Sequence, residues 1–410
     1  MECVFKYVFM KNILCLFILS LFATVACKDQ KRTHNLKPLS ESAVVYIDDE
    51  KKESMEKFAS ELVESVNDGD GSLMEDRLNV QAMYDIALRG LDLEKKELSQ
   101  LNRAFSEKLS ETKKTLLGVL CSGKLSWIRV VARARPALLY RVDMLDGTFT
   151  YVELHLKKRE SDAQWEIVDL HFFSNGKPNS GLIRDLAAKS LPKYGKPDPV
   201  MEDALIQLPS IMAKLANKDN DGAWAEWQKL GSKAKENRAI LGVGYQIAFQ
   251  GYFTDMSNLK WKDALREVMG GMQKNFPDDP GIAMMQLSVH EINEEWSKYR
   301  EAVGKIRNAV GGDHDFLDVL ELTADLGEKK FKKVIKVAKN YLDKHPNDLD
   351  VGAILWYGYA GSGDFTELTD SLRKFSESYE LIPEALQEDE LLKPYLESTE
   401  GKAFIKSLQK

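Results

Sequence analysis

Large aromatic residues return along the second half of this chain at a nearly constant interval. Trp224, Trp261, Trp296, Phe331 and Phe365 are separated by 37, 35, 35 and 34 residues, a period that accommodates a helix, a turn and a second helix. One such hairpin cannot bury its own apolar face, so neighbouring copies must stack into a shared core. The aromatics are therefore packing residues first. After them, Leu386, Leu391, Leu392, Tyr395, Leu396, Phe404, Ile405 and Leu408 cluster around Pro394 and Gly401, a pattern of short helices suited to capping the open apolar end of the array.

Two copies carry further detail. Phe331 is followed by Val334, Ala338, Tyr341 and Pro346, while Leu355 and Tyr359 precede Gly363, Asp364 and Phe365. These places resemble the second helix, and the first helix with its turn, of tetratricopeptide repeats. Trp261 with Ala264 and Pro277 fits with a one-residue offset, whereas Trp296 has Tyr299 and Gly311 where that family favours a small residue and proline. The resemblance implies a solenoid of four to five helical hairpins over 196–410, with a groove that takes a protein or peptide partner. Gln246, Gln250, Gln286, His290 and Tyr359 are the candidate groove residues.

Between about 48 and 195 the pattern differs. Met55, Phe58, Leu62 and Val63 recur at helical spacing up to Asn67-Asp68-Gly69-Asp70, and two further amphipathic stretches cover about 73–91 and 93–120. Four stretches rich in β-branched and aromatic residues follow at 127–135, 138–145, 148–158 and 164–173. Pro136 and the Asp146-Gly147 pair mark short connections, which predict an antiparallel meander. Helices followed by such a sheet, with NDGD after the first helix, resemble the nuclear-transport-factor-2-like or cystatin-like cone. The fold class expected is multidomain: an α+β cone-like domain, then an all-α tetratricopeptide-like solenoid. Proline at 192, 197 and 199 marks the boundary.

If the last hairpin pairs Lys157 with Ile167, His155 faces Asp169 and Glu153 faces His171, with Val152, Leu154, Leu156, Val168, Leu170 and Phe172 on the other side. Two imidazoles and two carboxylates then share one face. Such a set can move protons or bind a divalent metal, as a small-ligand binder or hydrolase would. The competing reading is a helix-covered sheet face with paired polar groups. Arg129, Arg133, Arg135 and Arg141 raise a similar choice between an anion pocket and structural pairing with acids such as Asp143.

The N-terminus sets location. An uncharged apolar run from Ile13 to Ala26 follows Lys6 and Lys11 and ends at Cys27, Lys28 and Asp29. It has the form of a secretory signal over 1–26, shorter than the roughly 20 residues of a spanning helix. Thr24, Val25, Ala26 and Cys27 resemble the lipobox of bacterial lipoproteins, with threonine where that family prefers leucine. The resemblance implies acylation of Cys27, attachment to a membrane of the cell envelope, and a body facing the periplasm or the exterior. Residues 27–47 are expected to form a flexible tether, and translation starts at Met1 or Met10.

Composition narrows the remaining classes. Hydrophobic residues at 44% and charged residues at 30% fit globular domains and exclude a disordered chain. A formal charge of -7 argues against nucleic-acid partners, which require a basic face. Beyond the N-terminal segment the only thiol is Cys121, so no internal disulfide framework is expected. Phosphate loops, nucleophile elbows and zinc motifs are absent, and NKDNDG at 217–222 lacks the acid of a calcium loop because Gln228 stands in its place. The expectation is a non-enzymatic binding or scaffolding protein, without cofactor or metal.

Overall fold

The computed structural model describes residues 45–408, apart from 90, 145–148, 190, 192–198, 347, 377–385 and 388. The expected signal segment, Cys27, most of the tether, the Asp146-Gly147 turn, Pro192 and Pro197 lie outside the described residues. Two compact units are present, one reaching residue 282 and the other starting at residue 283. Among the described residues no helix is long and apolar enough to cross a membrane.

The first unit opens with α1 (Asp49–Asn67), α2 (Ser72–Arg77), α3 (Val80–Leu88) and α4 (Lys95–Leu120). Asp48 caps α1 by accepting the Lys51 amide at 2.8 Å, and Asp49 and Glu50 complement the helix dipole. At its other end Asn67 exchanges two hydrogen bonds with the Leu125 backbone, 2.8 and 2.9 Å, fixing the helix against the sheet. The stretch expected to be helical over 73–91 is interrupted. Leu78 leaves the helix to bridge Ile167, and Asn79 caps α3 through the Ala82 amide. An asparagine cap outcompetes helix continuation here because it satisfies an otherwise orphaned donor.

Strands β1 (Gly123–Ala132), β2 (Pro136–Met144), β3 (Phe149–Lys158) and β4 (Trp165–Phe172) form one antiparallel meander in chain order. β1 begins four residues earlier than its β-branched composition predicts, since Asn67 and α1 hold Gly123–Ser126 in place. Pro136 opens β2, where a strand tolerates the missing amide. Leu138, Tyr140, Val152, Leu154, Leu170 and Phe172 point to the face covered by Met55, Phe58 and Leu62 of α1. Each such side chain contributes about 2 kcal/mol by leaving water.

After β4 a 3-10 turn over Phe173–Asn175 ends at Gly176, whose φ of 72° is left-handed. Helix α5 (Asn179–Lys189), not expected from the sequence, then lies against β4 and α3. The turn rests on the Arg238–Asp279 pair, Nε to Oδ2 at 2.6 Å. Helices α6 (Pro199–Ala216), α7 (Asn220–Lys229), α8 (Arg238–Thr254) and α9 (Leu259–Asn275) complete the unit with the start of α10 (Pro280–Ile292). The NKDNDG segment is the α6–α7 turn, capped by Asp219.

In the second unit α11 (Trp296–Ala309), α12 (Asp315–Gly327), α13 (Phe331–Leu342), α14 (Leu349–Ser362) and α15 (Phe365–Ser376) each pack on the next, and α12 also touches α14. The turns repeat with the aromatics. Glu294, Lys329 and Gly363 have φ of 56°, 60° and 80° and stand two residues before Trp296, Phe331 and Phe365. In each turn the following amide reaches back to the same place on the preceding helix: Glu295 to the His290 carbonyl, Lys330 to Asp325 and Asp364 to Tyr359, at 2.8, 2.8 and 3.0 Å. This is a Schellman closure. Trp296 then covers Gly327 of α12 and Phe331 covers Gly361 of α14, each so closely that a Cβ would overlap the ring. The short helices α16 (Lys393–Leu396) and α17 (Thr399–Leu408) bring Tyr395 and Phe404 into the same core as Leu355, Leu368 and Leu372.

Candidate functional site

The pairing of β3 with β4 places Glu153 opposite His171 and His155 opposite Asp169, all on the sheet face turned away from α1. The expected Lys157–Ile167 pair does not form. A bulge after His155 shifts the register, so Leu156 pairs with Ile167 and Lys157 with Glu166. Ile167 thereby enters the core, and Val168, expected there, lines the outer groove described below. Along β2 and β3, Asp143 pairs with Phe149, one residue away from the register a two-residue Asp146-Gly147 turn would impose.

The four polar residues divide into two arrangements. The buried Glu153 carboxylate accepts Nε and Nη2 of Arg133 at 3.1 and 2.7 Å on one oxygen. Its other oxygen faces His155 Nε2 and His171 Nδ1, both at 3.7 Å. Burial by itself pushes the Glu153 carboxyl up, but His171 and Arg133 outweigh it and hold its pKa at about 2. Burial pushes the His155 imidazole down, against the favourable charges of Asp169 and Glu153. Asp169 serves α5 instead: its carboxylate accepts the Ser180 amide at 3.0 Å, the Leu170 amide at 2.9 Å and the Ser180 hydroxyl.

Chemically, this face holds a carboxylate that a guanidinium keeps ionised at neutral pH, which makes Glu153 a weak proton acceptor there. His155 Nε2, His171 Nε2 and both side-chain polar atoms of Asn179 are buried without a hydrogen-bond partner. Among the described residues no group of three or more His, Cys, Asp or Glu is placed to hold a metal ion. Cys121, the C-cap of α4, is half-buried, and burial raises its thiol pKa, keeping it from thiolate chemistry.

The arginines separate in the same way. Arg133 is committed to Glu153, Arg141 to Asp143 at 2.7 Å, and Arg129 has an interaction partner of its own. Arg135 turns into a groove of about 960 Å³ bounded by the start of α1, the length of α3 and the ends of β2, β3 and β4. Alternation along an expected first strand of 127–135 would put Arg129, Arg133 and Arg135 together, with Arg141 of the second strand beside them; the bulge between Trp127 and Arg129 and the tight turn after Ala132 distribute them.

The five candidate groove residues of the helical region are largely internal. Gln286, His290 and Tyr359 are 3, 7 and 3% exposed. His290 Nδ1 shares a 2.8 Å hydrogen bond with Glu295, and the Tyr359 hydroxyl donates to Glu367 at 3.3 Å beneath Lys339, which sits 5.4 Å from the ring centroid. These two brace successive helices of the second unit. Gln246 and Gln250, on α8 of the first unit, are half-buried. Cys27 lies outside the described residues.

Comparison with protein-family models, with curated proteins and with solved structures gives no match.

Proposed function

We propose that this chain is an exported bacterial lipoprotein, anchored through acylated Cys27 to a cell-envelope membrane and facing the periplasm or the exterior, that binds a protein partner. Its helical hairpins act as a tetratricopeptide-like solenoid, and its cone-like sheet domain serves as a second binding module. The observation that carries this reading is a repeated packing device in the second unit: a left-handed turn residue with the aromatic two places on at three turns, and at two of them, Trp296 and Phe331, a glycine that receives the ring. Repetition of a packing device without a repeated reactive group supports a surface built for extent rather than for one reaction. Because Gln286, His290 and Tyr359 are buried, the partner meets exposed residues of the second unit's helices, such as Asp318 of α12 and Asp350 of α14.

Photo-crosslinking in the native envelope tests it. A photoreactive residue at 318 or 350 is expected to capture one protein reproducibly, while one at 61 on α1 does not. No capture from either position, or the same capture from all three, contradicts the reading.

A further inference from the structure

The groove of the first unit has an apolar wall and a cationic end. Ile86 of α3, Pro136 of β2, Leu156 of β3 and the bulge residue Val168 of β4 line it, and Arg135 and Arg89 face it. Arg135 is half-buried and Arg89 exposed. Among the described residues neither guanidinium has a hydrogen-bond or ion-pair partner. Of the groove's acids, Asp48 caps α1, Asp85 accepts from Gln81 at 2.8 Å, Glu166 accepts from Asn79 at 3.1 Å and faces Arg159, and Glu50 stands exposed in the first turn of α1. Burial lowers the pKa of Arg135, Asp169 partly offsets this, and Arg89 adds to it as a like charge. Removing a guanidinium from water without an anion is costly, and an incoming carboxylate or phosphate repays that cost with charge-assisted, bidentate hydrogen bonds.

We propose that Arg135 and Arg89 form the anion-binding end of this groove, which takes a small organic acid with its carboxylate or phosphate on the guanidiniums and its apolar body along Ile86, Pro136, Leu156 and Val168. The site is independent of the partner surface proposed for the helical hairpins. Neither arginine hydrogen-bonds to the Glu153 cluster, although the Arg135 charge reaches His155 and Asp169.

The test is calorimetric titration of the full chain in nanodiscs, with empty nanodiscs subtracted, using 4-phenylbutyrate, phenyl phosphate and the neutral 4-phenylbutanol. At least one of the two anions is expected to saturate a single site, with the alcohol at least roughly tenfold weaker, the scale of one charge-assisted hydrogen bond. Which anion binds distinguishes a carboxylate ligand from a phosphate ligand. Arg135→Gln is expected to abolish the preference for the anion and leave the alcohol unchanged, and Arg135→Lys to retain part of it. Should Arg135→Gln fail to fold by circular dichroism, Arg89→Gln gives the same reading. Equal binding of anion and alcohol, no saturable binding of either anion, or an anion preference that survives both glutamine variants overturns the proposal.

Discussion

Arg133 reaches across the sheet to Glu153 with two donors on one carboxylate oxygen, and the two residues differ sharply in exposure: the guanidinium is 46% exposed and the carboxylate 3%. The charge that must be neutralised lies inside, and the group that neutralises it touches solvent. The pair therefore closes the polar face of the sheet from its rim, while α5, held by Asp169, covers the side along β4.

This arrangement predicts acid sensitivity. Glu153 and His155 both have lowered pKa values in the fold, so the unfolded chain binds more protons and stability falls as pH falls. The loss begins as pH passes below the ordinary histidine value of 6.5 and deepens between 4.5 and about 2, where Glu153 takes up its proton. Glu153→Gln is expected to cost about 3 kcal/mol at pH 7 and to flatten the lower part of this acid limb. Chemical denaturation across pH 3–7 measures both.

Glu291 predicts the opposite trend. Burial raises its carboxyl to about 7, so the folded chain holds its proton longer and stability is lost as pH rises from 4.5 through 7. Glu291→Gln should stabilise the protein at pH 8 and leave it unchanged at pH 4. The gain is at most about 3 kcal/mol, reduced by the water that reaches this partly exposed side chain. Melting temperatures at the two pH values decide it.

Lys329 occupies the turn position that Gly363 fills two helices later, with the same left-handed φ. A lysine pays a steric cost there that glycine avoids, partly offset by glycine's greater freedom in the unfolded chain. Lys329→Gly is expected to raise stability by about 0.5–1 kcal/mol in denaturant titration.

Gly361 receives the Phe331 ring, and a Cβ in its place would overlap it. Gly361→Ala should destabilise the protein by about 1–3 kcal/mol through overpacking. Phe331→Leu, which shortens the ring, should recover part of that loss in the double variant.

Much of the sheet was legible because alternation fixes faces: the antiparallel pairing of Glu153 with His171 and of His155 with Asp169 follows from hydrophobic periodicity. The bulge at Val168 was not, since each side of it alternates normally while the extra residue reverses the phase between them, turning Trp165 and Ile167 to the same face as Leu170 and Phe172. Helix α5 escaped notice because Asn179, Ser180 and Arg184 are buried beside Ile183, Ala187 and Ala188, so its inner face mixes polar with apolar residues, and a clean apolar stripe is the signal that periodicity detects. Asp169 ahead of Asn179-Ser180 was the available clue, an acid positioned to cap a helix from another strand. The aromatic period falls on helix starts at Trp296, Phe331 and Phe365. It could not show that Glu294 and Lys329 adopt glycine's conformation, because nothing in a charged side chain announces a left-handed backbone. Three of the five candidate groove residues, Gln286, His290 and Tyr359, are buried for a related reason: polar groups such as those of His290 and Tyr359 find partners inside the helical array, and sequence separates polar from apolar, not outside from inside.

The account of this protein as a tethered envelope binding module rests first on Cys27. Metabolic labelling with an alkyne palmitate analogue tests it most directly. The account predicts that the wild-type chain takes up the label and fractionates with membranes, and that Cys27→Ser takes up none. An unlabelled wild-type chain, or label that persists in Cys27→Ser, contradicts it.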